Sequence, residues 1–202
     1  MKKTLLLLLL LIIAQAFSIY AQDGGQPIEG TDAFKYQKDA DGRDCYVYDR
    51  YVFKTVSSQG NGVYINVYQN SSGNSTAKVC ETGLAKPYLV VKDSDSQFFN
   101  GLVGDKLIID DGTGPDTRKL TIVDLPTKRT VFTATVHETG KITGKRFLTF
   151  SEFSKTKRPL SECPQAKEWR NSGFSIGWVR KAKLDLRTMK KSAGKISCAA
   201  FQ

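Results

Sequence analysis

The sequence predicts an all-β domain of antiparallel hairpins folded as one sandwich or barrel, with at most one short helix and two disulfides. Three observations carry that expectation. Apolar and polar residues alternate along several short runs, which is the period of a half-buried strand. Gly, Asn, Asp and Pro punctuate the chain at short spacing with no long helical pattern between them, which argues against a parallel α/β fold. Four cysteines, Cys45, Cys80, Cys163 and Cys198, are widely spaced without a Cys-x-x-Cys pair, and an even number in an exported chain implies structural bridges.

The export signal is residues 1–21. Two lysines precede an unbroken apolar run from Leu5 to Ala14, too short to span a bilayer and followed by polar chain without stop-transfer charges. Cleavage after Ala21 is expected, leaving a secreted or periplasmic product with no membrane anchor. Residues 22–44, rich in Gly, Asp and Gln, read as a flexible leader, and the folded domain as residues 45–202. With 202 residues, 40% hydrophobic and 25% charged, the chain is apolar enough to bury a core.

Strands are expected in order over residues 46–56 and 63–68, where Val63, Ile65 and Val67 alternate with Tyr64, Asn66 and Tyr68. A polar turn at 70–76 holds two sequons, at Asn70 and Asn74, and residues 77–81 return from it. Residues 88–92 and 98–103 follow, the latter joined through Gly104 and Asp105 to 106–110 as a tight hairpin. Runs at 120–124, 130–137, 145–153, 174–186 and 195–200 complete the set. The one helix is placed at 161–170, with Pro164 in its first turn and Gly173 ending it. Cys80 and Cys198 each end a hairpin of similar layout, which suggests that each pairs with one of the other two cysteines; the connectivity stays open.

A faint repeat links 120–134 with 182–200. Each has an extended run, then Asp-Leu-x-Thr, a basic turn and a second strand. Asp and Thr there are suited to bonding turn backbone groups while Leu stays on the core face. On these residues, the segment 104–134 resembles a single blade of secreted β-propeller repeats. The resemblance implies hairpin geometry and no binding or catalytic residue. It adds a partial-propeller-like sheet to the sandwich and the barrel.

Three carboxylates, Asp110, Asp111 and Asp116, on a Gly-containing loop are oxygen donors of the kind Ca²⁺ takes, although their spacing is not that of an EF-hand and an ordinary β-turn loop explains them as well. Ca²⁺ is the one cofactor the residues suggest. Asp110 and Asp111 are adjacent on an extended chain and point to opposite faces, which argues against a paired-acid glycosidase. His137 is the only histidine and has no nucleophile motif beside it, so no catalytic residue is assigned.

Charge is the stronger signal. Residues 141–195 contain 15 Lys or Arg against 4 Asp or Glu, while residues 22–140 contain 13 against 16. The basic surplus thus sits in one third of the chain, and the expected binding face comprises Lys145, Arg146, Lys155, Lys157, Arg158, Lys181, Lys183, Arg187, Lys190 and Lys191. On one strand, Lys181 and Lys183 share a face opposite Ala182 and Leu184. The expected role is a binding protein for an anionic polymer such as a glycan, for an envelope surface or for an acidic protein. Nucleic acid ranks lower because the chain is exported. Two other classes stay open: an inhibitor of a secreted hydrolase that presents the loop from Asp110 to Arg118, and a hydrolase whose site the sequence does not reveal.

Overall fold

The computed structural model describes residues 27–70, 80–81, 86–112, 114 and 116–202. The expected signal, residues 22–26 of the expected leader, and residues 71–79 with the second sequon lie outside them. The fold is all-β, in two antiparallel sheets. The first has five strands in sequence order: β1 (Lys35–Lys38), β2 (Asp44–Val47), β3 (Tyr51–Ser57), β4 (Val63–Gln69) and β5 (Leu89–Val91). The second is a seven-stranded meander: β6 (Gln97–Val103), β7 (Lys106–Asp111), β8 (Arg118–Asp124), β9 (Arg129–Thr143), β10 (Phe147–Phe153), β11 (Ser175–Asp185) and β12 (Lys190–Phe201).

The expected strand at 46–56 is two strands. Asp49 and Arg50 make a turn in which the Tyr48 amide donates to the Tyr51 carbonyl at 2.9 Å. This reversal puts Tyr46 opposite Phe53, and both rings are buried against Phe99 of β6, with centroids 4.5 and 4.9 Å from it. Ile65, Val67, Leu107, Ile109 and Leu125 join them in the core between the sheets. A second core, with Ile108, Leu120, Ile122, Leu148, Phe150 and Leu184, fills the concave side of the seven-stranded sheet.

The fold starts earlier than the sequence suggests. Residues 27–44, expected to belong to the leader, include β1, paired with β2, and a strap across residues 28–32. The Ile28 amide donates to the Asn100 carbonyl at 3.0 Å and the Asp32 amide to the Leu102 carbonyl at 2.8 Å, both on the free edge of β6. The Ile142 amide of β9 donates to the Glu29 carbonyl at 2.8 Å. The strap thus bridges β6 to β9 and curls the intervening strands around the second core, where Ile28 packs. Its low apolar content hid it, because the strap holds on mainly through backbone bonds, which leave no side-chain period.

The helix is shorter than expected. A 3₁₀ turn (Leu160–Glu162) precedes α1 (Ala166–Asn171), and Cys163 between them is extended, at φ −107° and ψ 101°. Pro164 disfavours a helical conformation at the residue before it and so splits the element. Gly173, at φ +83°, follows the end of α1 as expected. Of the strand expected at 77–81, residues 77–79 lie outside the described residues and 80–81 are helical.

Both disulfides form. Cys45 pairs with Cys80 and Cys163 with Cys198, so Cys80 and Cys198 each take one of the other two. The first is buried with Val47 and Val52 behind the five-stranded sheet; the second fastens the segment around α1 to β12.

The two Asp-Leu-x-Thr turns behave alike. The Asp124 carboxylate accepts the Thr127 amide at 3.2 Å and hydroxyl at 2.5 Å, and the Asp185 carboxylate accepts the amides of Arg187 and Thr188 at 3.0 and 3.4 Å. Leu125 and Leu186 are both buried. Lys106 pairs with Asp124 and Arg146 with Asp185, and these bonds hold both carboxyls below the usual carboxylate range. A carboxyl whose folded pKa is lowered contributes stability above its ordinary pKa and loses it as pH falls through the folded value. Asp124→Asn and Asp185→Asn are therefore expected to lower the stability measured near neutral pH while flattening its fall between about pH 4 and the acid limit. Urea titrations across that range check this, and an acid limb as steep as the parent's would refute it.

Candidate binding face on the outer side of the long sheet

Alternation along β10 and β11 puts Leu148, Phe150, Ala182 and Leu184 into the second core. Phe147, Thr149, Ser151 and Phe153 of β10, with Lys181, Lys183 and Asp185 of β11, therefore share the outer face. Register places Thr149 beside Lys183 and Ser192, and Ser151 beside Lys181. Irregularities in the β9–β10 pairing lie between Leu148 and Phe150 and between Ser151 and Glu152, and one in the β11–β12 pairing lies between Arg180 and Ala182. Such bulges re-aim side chains. Here they bring Glu138, Gly140 and Lys141 of β9 and Gly194 of β12 into a groove of about 520 Å³ with Thr149, Ser151, Lys181, Lys183 and Ser192. The floor is low because a Cβ at Gly140 would lie 2.7 Å from the Thr149 hydroxyl oxygen, and one at Gly194 3.0 Å from the Lys181 carbonyl oxygen.

The ten basic residues separate into groups. Arg146 makes a two-pronged contact with Asp185 at 3.0 and 2.5 Å, Arg158 pairs with Glu162 at 3.2 Å, Lys191 with Glu152 at 2.6 Å, and Lys145 with Asp32 at 3.7 Å. Lys155 and Lys157 lie exposed in the connection after β10, and Arg187 and Lys190 are exposed around the β11–β12 turn. Lys181 and Lys183 line the groove, and neither has a carboxylate partner among the described residues. The Lys183 ammonium sits 3.9 Å over the Phe147 ring, and the Arg146 guanidinium lies 4.8 Å from the same ring. Lys141 was missed in the sequence. Gly140 inside a strand-like run was the available sign of a bulge that would re-aim its neighbour.

At one end of the face, three rings form a platform. Phe153 and Phe201 stack at 5.6 Å, and His137 lies 4.8 Å from Phe201 and 6.1 Å from Phe153. Gly177 makes room for this packing, since a Cβ there would fall 2.5 Å from the Phe201 ring. His137 Nδ1 is 3.3 Å from the Asp116 carbonyl, so its contacts are rings and a backbone oxygen.

The Asp loop does not converge. Asp110 is buried beside Arg118, whose Nε is 3.0 Å from its Oδ2, and burial raises its carboxyl above the usual range against the pull of that guanidinium. Asp111 accepts hydroxyls from Ser94 and Ser96 at 2.9 and 2.6 Å. Asp116 accepts the Gln202 amide at 2.7 Å. The three carboxylates face three different sets of partners, and among the described residues no group of three His, Cys, Asp or Glu is arranged to hold a metal. Alternation sends the adjacent acids Asp110 and Asp111 to opposite faces of β7.

No helix among the described residues is long and apolar enough to cross a membrane. No protein-family model matches the chain, and a search of curated proteins finds no match. What fold and site define is a class: a two-sheet, disulfide-linked all-β protein with a basic groove on the outer face of its longer sheet.

Proposed function

We propose that this is an exported binding protein that holds an anionic partner on the outer face of β9 to β12. One observation carries the reading: Lys181 and Lys183, without carboxylate partners among the described residues, flank a groove lined by small residues, with Gly140, Ala193 and Gly194 beside Thr149, Ser151 and Ser192. Most other cations of the basic third are neutralised locally by Asp185, Glu162, Glu152 and Asp32 or lie away from the groove. The backbone positions of Lys181 and Lys183 lie about 6.7 Å apart on one face of the strand. With Lys141 they outnumber the one carboxylate in the groove, Glu138, so the groove presents a local positive potential to an approaching polyanion.

The double reversal Lys181→Glu, Lys183→Glu is expected to weaken binding to dextran sulfate or polygalacturonate at least tenfold, which is about 1.4 kcal/mol. Both side chains are exposed, so the melting curve should stay near the parent's. Parent binding should also fall steeply as salt shortens the Debye length from about 30 Å at 0.01 M to about 8 Å at 0.15 M. Affinity indifferent to salt and to the reversal would sink this reading and favour a shape-complementary inhibitor loop at Asp110 to Arg118.

A further inference from the structure

The geometry points to an acidic glycan chain as the anionic partner, with one sugar ring on the His137–Phe153–Phe201 platform and its acid groups at Lys181, Lys183 and Lys141; this rests on the binding reading above. The outer face is ordered in rows. Phe153 is registered with Val179, Ser151 with Lys181, Thr149 with Lys183, and Phe147 with Asp185. Successive rows lie about 6.7 Å apart, so platform, first lysine and second lysine follow one another along a line of roughly 13 Å. An extended chain of rings and acids has its parts in that order.

Three properties separate a glycan from other polyanions. The platform offers an aromatic surface that is 38% exposed at Phe153, where the apolar face of a pyranose ring can pack. Hydroxyls and glycines lie in the same rows as the lysines, Ser151 beside Lys181 and Thr149 and Ser192 beside Lys183, with Gly140 and Gly194 next to them. The Thr149 and Ser192 hydroxyls donate to the Lys141 and Lys183 carbonyls, and their oxygens remain acceptors for a ligand dense in hydroxyl groups. Single-stranded nucleic acid would need further stacking surfaces for successive bases, and the next aromatic, Phe147, already has Lys183 and Arg146 against its ring. An extended acidic peptide draws affinity from backbone bonds at a sheet edge, whereas the platform and lysine rows lie on β10 and β11, interior strands of the sheet.

The experiment compares fluorescently labelled polygalacturonate, dextran sulfate, poly-glutamate and oligo-dT on the mature chain at one ionic strength. The parent is expected to bind at least one acidic glycan more tightly than oligo-dT or poly-glutamate. Phe153→Ser should weaken that glycan at least fivefold with unchanged salt dependence and melting curve, and Phe153→Tyr should restore it. If Phe153→Ser binds like the parent while the Lys181/Lys183 reversal loses binding, the glycan inference falls and the basic-face reading stands. Tighter binding of oligo-dT or poly-glutamate than of both glycans overturns the glycan as well. Loss of the glycan equally in Phe153→Tyr and Phe153→Ser removes the stacking role. No binding of any polyanion by the parent overturns both readings.

Discussion

Gly30→Ala is expected to destabilise the protein by about 3 kcal/mol or more, well beyond Gly42→Ala. Both glycines have positive φ, +90° and +76°, so alanine at either one carries a similar backbone strain of roughly 1 to 2 kcal/mol. Their surroundings differ. A Cβ at Gly30 would lie 2.0 Å from the Ile142 carbonyl oxygen, whereas one at Gly42 meets nothing within 4 Å. The added methyl must therefore push the strap off β9, and overpacking of this kind costs a further 1 to 3 kcal/mol. It also endangers the backbone bonds from Ile28 and Asp32 to β6 and the burial of Ile28 in the second core. Against a total stability of about 5 to 15 kcal/mol this is a large fraction. Urea unfolding of the two variants side by side measures it, and equal midpoints would mean that the strap does not close the sheet.

The second large effect is at the disulfides. Each bridge joins residues 35 apart in sequence, so the chain-entropy account assigns both about 4 kcal/mol of restriction in the unfolded state. Their native surroundings are unequal. Cys45 and Cys80 are 0% and 1% exposed, packed with Val47 and Val52, while Cys198 is only half-buried on the outermost strand. Replacing Cys45 and Cys80 by Ala removes the cross-link and leaves a void in a packed cluster, and the expected loss exceeds 4 kcal/mol. Replacing Cys163 and Cys198 is expected to cost less and to act locally, because that bridge ties the segment around α1 to an edge. Amide exchange should then rise across 160–171 while β6 to β8 stay protected. Equal losses in urea, or global exchange in the second variant, would contradict this division.

How legible the fold was in the sequence varied with the kind of force involved. Strands that bury alternating side chains announced themselves, as at Val63, Ile65 and Val67 or at Leu120 and Ile122, because burial on one face of a pleated strand writes a period of two. The Asp-Leu-x-Thr turns were readable for a similar reason: their bonds run between residues two or three apart. The strap at 28–32 was not readable, since its partners at Asn100, Leu102 and Ile142 are distant in sequence and are met through backbone groups that every residue carries. The partners of the three Asp carboxylates were not readable either: Asp110 meets Arg118 eight residues on, Asp111 meets Ser94 and Ser96 on the preceding connection, and Asp116 meets Gln202 at the far end of the chain.

The candidate site divides in the same way. The sequence by itself determined that the protein is all-β, that its positive charge is concentrated after residue 140, and that Lys181 and Lys183 lie on the face opposite Ala182 and Leu184. Each is a matter of composition or local period. Only the tertiary structure decided which cations meet a carboxylate, that Lys141 joins the groove across a bulge, and that His137, Phe153 and Phe201 form one platform. The physical reason is that neutralisation and convergence depend on distances between strands, and those are set by register, bulges and curl that no single strand's residues encode.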